Sequence, residues 1–122
     1  MTPLASYDLH LHTYWSYDAT AAPEEHFRRA RELSVCCLAI TEHHHLDSWD
    51  EVRGVAAAYP EVRLLRAAEL TVTCSIGSVD LVCLGFPDEL TPRMVEVIDA
   101  YHQWQREYGG AVSRGMVALG YG

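Results

Sequence analysis

Residues 35–41 read VCCLAIT, and this run constrains the fold more than any other segment. A continuous apolar stretch of strand length is expected for a strand covered on both faces. Such strands sit in parallel sheets flanked by helices, so the flanking sequence should alternate strand and helix. It does. Residues 4–9 (LASYDL) read as a first strand, followed by a polar, aromatic loop from His10 to about Ala22. Pro23 suits a first helical position, and Glu24 and Glu25 suit the first turn, where acids complement the helix dipole. Phe27, Ala30 and Leu33 then share an apolar stripe. After the second strand, EHHHLDSWDE reads as a loop, and Asp47 or Ser48 can cap a helix through Val52, Val55, Ala56 and Tyr59 that Pro60 ends. VRLLRAAELTVTC holds one or two short strands. SIGS reads as a hairpin turn, and VDLVCLGF as the partner strand. Thr91 and Pro92 open a long helix with Met94, Val95, Val97, Ile98, Tyr101, Trp104 and Tyr108 on its apolar side. Gly109 and Gly110 either break it or are passed through. The class expected is α/β with a parallel sheet.

The chain has 122 residues, 49% of them hydrophobic, and a formal net charge of -8. That length is one domain, and that hydrophobic fraction excludes a disordered chain. No apolar run approaches the ~20 residues of a membrane span, so no membrane association is expected. A pI near 5.2 argues against nucleic acid as a partner held by phosphate contacts. The N-terminus MTPLASYDLH has no basic segment followed by an apolar stretch, so a cytoplasmic protein is the expectation. Cys36, Cys37, Cys74 and Cys83 lie in strand-like runs without metal-type spacing and are expected to be small buried core residues.

Five of the seven histidines fall in two short segments. His10 and His12 close the first strand, and strand alternation puts both, with Asp8, on one face. Asp18 follows beyond a Tyr-Trp-Ser-Tyr loop and can bend back as an oxygen ligand. Thr41-Glu42-His43-His44-His45 follows the second strand directly, and His43 is the favoured ligand of its three histidines. Glu69 lies near the end of the third strand region. Functional groups in parallel α/β proteins collect at the carboxyl ends of strands, and these clusters occupy equivalent places in successive units. Imidazole and carboxylate donors of this kind suit zinc, iron or manganese. A carboxylate-bridged pair of such ions activates water and clamps a phosphoryl oxygen. Glu42 stays open between ligand, supporting partner and solvated residue. Tyr14, Trp15 and Tyr17 either line a substrate mouth or cover the loop. Arg63 and Arg66 read as charged rims of a strand, and His26 and His102 as ordinary helix residues.

Taken together, these segments resemble the PHP family, the polymerase and histidinol phosphatase superfamily. Asp8-Leu9-His10-Leu11-His12-Thr13, with Ser16 and Asp18, is similar to its first motif. Ile40-Thr41-Glu42-His43 is similar to its second, which more commonly reads T-D-H. Ala68-Glu69-Leu70 is similar to its third. Asp80 through Phe86 resembles a strand that normally begins with a histidine. The core of the resemblance covers residues 7–86 of a single partial domain, with a helical segment at 92–119. It implies the N-terminal portion of a distorted (β/α)7 barrel, the first three or four βα units. It also implies two or three divalent metal ions (zinc, manganese or iron, with magnesium allowed). By position, His10, His12 and Glu69 bind one metal, Glu69 bridges to a second, and Asp18 and His43 serve another. Asp80 stands in the place of a metal-binding histidine and can coordinate through oxygen. The family's later A-H-P-like and D-x-H motifs have no counterpart here.

The function this implies is metal-dependent hydrolysis of a small phosphorylated substrate, by a water that the metals activate and with no side chain singled out as general acid. The 122-residue chain alone is expected to be incomplete for that reaction. The alternative is a non-catalytic metal-binding or interaction module; hydrolysis of a C–N bond is a third reading. An incomplete barrel leaves an open strand edge, through which a homo-oligomer can form.

Overall fold

The computed structural model describes residues 5–122. The start of the first expected strand, at residue 4, lies outside them. The chain forms two units, described separately, the first running to Asp88 and the second from Glu89.

In the first unit, β1 (Tyr7–Leu11), β2 (Cys37–Ile40), β3 (Arg63–Cys74) and β4 (Gly77–Leu84) form one sheet in that order. Helix α1 (Pro23–Leu33) joins β1 to β2, and α2 (Trp49–Ala56) joins β2 to β3. These two crossovers make β1, β2 and β3 parallel, as a connection through a helix allows. The sheet as a whole is mixed and not parallel. The loop between β3 and β4 is only Ser75 and Ile76, too short for a crossover, so β4 returns antiparallel. Gly77 closes that turn at φ 119°, a conformation that side chains disfavour. The long segment read as one or two strands is one strand with two partners. Arg63 to Arg66 pair with β2, and Ala67 to Cys74 pair with β4. This mixed α/β arrangement is consistent with part of a barrel.

Pro23 opens α1, and the Glu25 carboxylate accepts the Ala22 N–H at 3.1 Å. Ser34 ends the helix in the left-handed region. Phe27 and Ala30 of the expected stripe are buried, with Leu38, Ile40, Val52, Tyr59 and Val62, in the core between the two helices and the sheet. Leu33 is not: it lies in the last turn and is 48% exposed. Helix α2 ends before Tyr59, which a turn carries into the core instead. Ser48 caps α2 by position only, because its side chain makes no capping bond. The cysteines also depart from expectation. All four are free, Cys36 and Cys74 are exposed, and Cys37 and Cys83 are half-buried. They sit at the start of β2 and in the β3–β4 hairpin.

The pairing of β1 is irregular. Tyr7 and Asp8 pair with Cys37 and Leu38, but Leu11 pairs with Ile40, so β1 carries one extra residue between Asp8 and Leu11. A bulge of this kind exchanges the faces of the residues on either side of it.

The second unit is one helix, α3 (Pro92–Ala118), with the Thr91 hydroxyl accepting the Met94 N–H at 3.3 Å. It passes through Gly109 and Gly110 without a break. Trp104 and Tyr108 stack along it, with ring centroids 5.3 Å apart. Among the described residues, no helix is long and apolar enough to cross a membrane.

Two outcomes check this packing. Phe27→Ala empties a fully buried site and should cost about 3–5 kcal/mol in chemical denaturation. Arg31 bonds Glu61 at 2.6 Å and lies over the Tyr59 ring, which ties α1 to the turn before β3. The bond to Arg31 holds the Glu61 carboxyl below its ordinary value. Its contribution is therefore present above the unfolded carboxylate pKa of about 4.3 and lost as pH falls through the lower folded value. Glu61→Gln should lower the melting temperature slightly at pH 7, with the difference shrinking in high salt and as pH falls through the lowered folded value.

Candidate metal centre

Backbone pairing continues past the end of β2 and sets the site. The Thr41 N–H donates to the Leu11 carbonyl at 2.7 Å, holding the segment after β2 against the end of β1. On the other side, the Glu69 N–H donates to the Glu42 carbonyl at 3.0 Å, and the His44 N–H donates to the Glu69 carbonyl at 2.9 Å. His43 thus stands opposite Glu69 in a parallel bridge. His44 then takes φ 62° and turns the chain away.

This places three imidazoles around one carboxylate oxygen. Glu69 Oε2 lies 3.1 Å from His10 Nε2, 3.1 Å from His12 Nε2 and 3.5 Å from His43 Nδ1. His43 Nε2 reaches Asp18 Oδ2 at 3.0 Å. That hydrogen bond holds the Asp18 carboxyl below the ordinary carboxylate range. The His12 and His43 rings stack with centroids 4.5 Å apart. The donor atoms fall into two groupings that can each hold a metal ion, His10 with His12 and Glu69, and His12 with Asp18 and His43. His12 belongs to both. Imidazole nitrogens with carboxylate oxygens, all within 4.8 Å in each grouping, fit a borderline divalent ion such as zinc, iron or manganese.

Asp80 is not in either grouping. It faces Thr71 across the β3–β4 pair, and its carboxylate accepts the Thr71 hydroxyl at 2.6 Å. Asp8 also departs from its expected face. The β1 bulge turns it to a hollow lined by His26, Arg29 and Leu33 of α1. His44 is buried with Nε2 3.2 Å from the Thr71 hydroxyl. His45 fastens loops, donating to the Trp15 carbonyl at 3.2 Å and accepting the Asp47 N–H at 3.3 Å.

The loop after β1 is fixed from three sides. His26 of α1, read from sequence as an ordinary helix residue, donates to the His12 carbonyl at 2.8 Å. Glu51 of α2 accepts both the Tyr14 hydroxyl and the Trp15 indole N–H, and the first bond raises the Tyr14 pKa. Tyr14 and Trp15 therefore pin the loop. Tyr17 stacks on His43 at 4.9 Å while 86% exposed, forming an aromatic rim over the cluster. Arg66 turns to the Pro87 and Asp88 carbonyls. In sequence, the i to i+14 link from His12 to His26 carries no signal, because it runs from a side chain to a backbone carbonyl.

Glu69→Gln should lower zinc or manganese affinity by more than the ~10–100-fold that loss of a supporting partner costs. Titration calorimetry of the chain, with its circular dichroism unchanged, checks this.

The family model of the PHP domain matches residues 8–103. The fold is similar to an amidohydrolase from Chromobacterium violaceum solved with bound sulfate and no metal (TM-score 0.76, 25% identity, 95% of this chain and 40% of that one). It is also similar to a candidate metal-dependent phosphoesterase from Bifidobacterium adolescentis (TM-score 0.70, 26% identity, 80% of this chain and 33% of that one). A two-domain protein from Bacteroides vulgatus, containing a predicted PHP-like metal-dependent phosphoesterase, shares the fold at TM-score 0.52 and 22% identity, over 62% of this chain and 25% of its own. The chain thus spans 40% or less of the length of these structures. No curated protein matches it. The family match begins at Asp8 of the first motif, takes in all four strands and ends inside α3, and on that match this chain belongs to the PHP domain family.

Proposed function

We propose that this chain carries the N-terminal metal-binding part of a phosphoesterase site. The observation that supports the reading most is the approach of three imidazoles, from the ends of two successive strands, to one oxygen of Glu69. Divalent ions held there supply positive charge that polarises a phosphoryl oxygen and acidifies water. His10, His12 and Glu69 hold one ion, and Asp18 and His43 a second with His12 or Glu69 shared. Zinc, manganese or iron suits this donor set. The chain's own residues do the positioning. Glu69 is buried and keeps its carboxylate directed at the rings, while the backbone bridge to His43 fixes their separation. The hydrogen bond from His43 orients Asp18 at the exposed side, where an anionic ester arrives. Tyr17 and His43 form a flat wall beside it. The likeness to proteins named as metal-dependent phosphoesterases supports a phosphate ester as the substrate.

A second reading is a metal-binding module without catalysis. Asp80 favours it, since its carboxylate is engaged by Thr71 and lies outside both groupings. The amidohydrolase likeness adds one substrate class to the test.

The protein as encoded in its reading frame, loaded with zinc or manganese, should hydrolyse p-nitrophenyl phosphate. His10→Ala and Glu69→Ala should each lower kcat/KM by at least about 100-fold, the scale of losing one contact that stabilises transition-state charge. Metal uptake with no turnover of aryl phosphates selects the module reading, and turnover of aryl amides alone selects C–N hydrolysis. Absence of metal uptake removes all three.

A further inference from the structure

The Glu42 carboxylate is 1% exposed yet belongs to neither ligand grouping. It accepts the Thr13 N–H at 3.2 Å, the Thr13 hydroxyl at 2.5 Å, and the Ser16 hydroxyl. A carboxylate only accepts, and a hydroxyl has one proton to give. With that proton donated to Glu42, the Ser16 oxygen is left as an acceptor. Two groups face it, the His43 backbone N–H at 3.3 Å and His12 Nδ1 at 3.3 Å. His12 Nδ1 must then carry a proton to make its bond.

The other ring nitrogen, His12 Nε2, points into the cluster, 3.1 Å from Glu69 Oε2 and 3.3 Å from His10 Nε2. A lone pair and a carboxylate oxygen at that separation repel unless a proton or a metal ion lies between them. A ring whose Nδ1–H is fixed by an outer partner presents Nε2 as the ligand atom. We propose that Glu42 is a positioning residue. Through Ser16, it fixes the tautomer and rotation of His12 so that Nε2 is the nitrogen offered to metal. The same carboxylate holds Thr13 and Ser16 together, so the loop leading to Asp18 and the ring of His12 are set by one buried group. This also gives Glu42 a role distinct from its neighbour His43, although both follow the same strand.

The inference rests on His12 being a metal ligand, and its test uses no substrate. In zinc-loaded protein with nitrogen-15-labelled histidine, the His12 ring signals, assigned by their loss in His12→Asn, should show protonated Nδ1 and metal-bound Nε2. Metal on Nδ1, or a proton on Nε2, overturns the proposal. Ser16→Ala and Glu42→Gln should each weaken zinc binding by about 10–100-fold, and Glu42→Asp, which keeps the carboxylate, should recover most of it. Wild-type affinity in both Ser16→Ala and Glu42→Gln overturns it even where the spectrum agrees. If either variant fails to fold, the wild-type ring assignment still decides. A protein that holds zinc through Nε2 but hydrolyses no phosphate ester removes the functional reading and leaves this one standing. A protein that takes up no zinc removes both.

Discussion

Two backbone hydrogen bonds at Glu69, one to the Glu42 carbonyl and one from the His44 N–H, hold the centre in register. Side chains alone could not do this. Long acidic and imidazole side chains are entropically costly to order, and ordering them in open solvent gains little. Here the chain after β2 is held like a strand on both sides, by Leu11 and by Glu69, although it is too short to count as one. The left-handed turn at His44 follows at once. It is an uncommon conformation for a residue with a side chain, and the bond to the Glu69 carbonyl is what holds it.

The same logic explains why the candidate ligands are surrounded by supporting residues. A metal ligand must present a bare donor atom, so its other polar atoms need partners elsewhere. The His12 backbone is held by His26, and the His12 ring lies 3.3 Å from the Ser16 hydroxyl. Buried polar groups are costly unless each is satisfied, and Glu42 is satisfied by three donors drawn from one short loop. A site built this way is rigid near β2 and Glu69 and more open at His10, Asp18 and Tyr17, which reach solvent.

Much of this was legible in the sequence, and the exceptions are physical. The apolar run before Thr41 and the pairing of Pro23 with Glu24 and Glu25 located β2 and α1, because periodicity and capping are local. The two histidine segments and Glu69 were legible as a set because strand ends recur at similar spacing. The face of Asp8 was not legible: alternation is a rule for regular strands, and a bulge leaves no mark in composition. Exposure of the cysteines was not legible either, since a residue type common in cores says nothing about which part of a strand a helix covers. Asp80 is engaged by Thr71, a cross-strand neighbour that only the hairpin register reveals. His26 and Glu42 act through atoms of other segments, and a single chain read in order does not display such contacts.

The end of β1 falls between the two histidines of the first segment. His10 lies within the strand, while His12 lies just past its end, on the loop that Glu42 clamps. The two imidazoles are two residues apart in sequence, yet the pleat of the sheet does not fix the gap between them. One half of the pincer is mounted on the sheet and the other on a loop. An ion held by both rings would therefore depend on two separate supports, the sheet for His10 and the Glu42-clamped loop for His12.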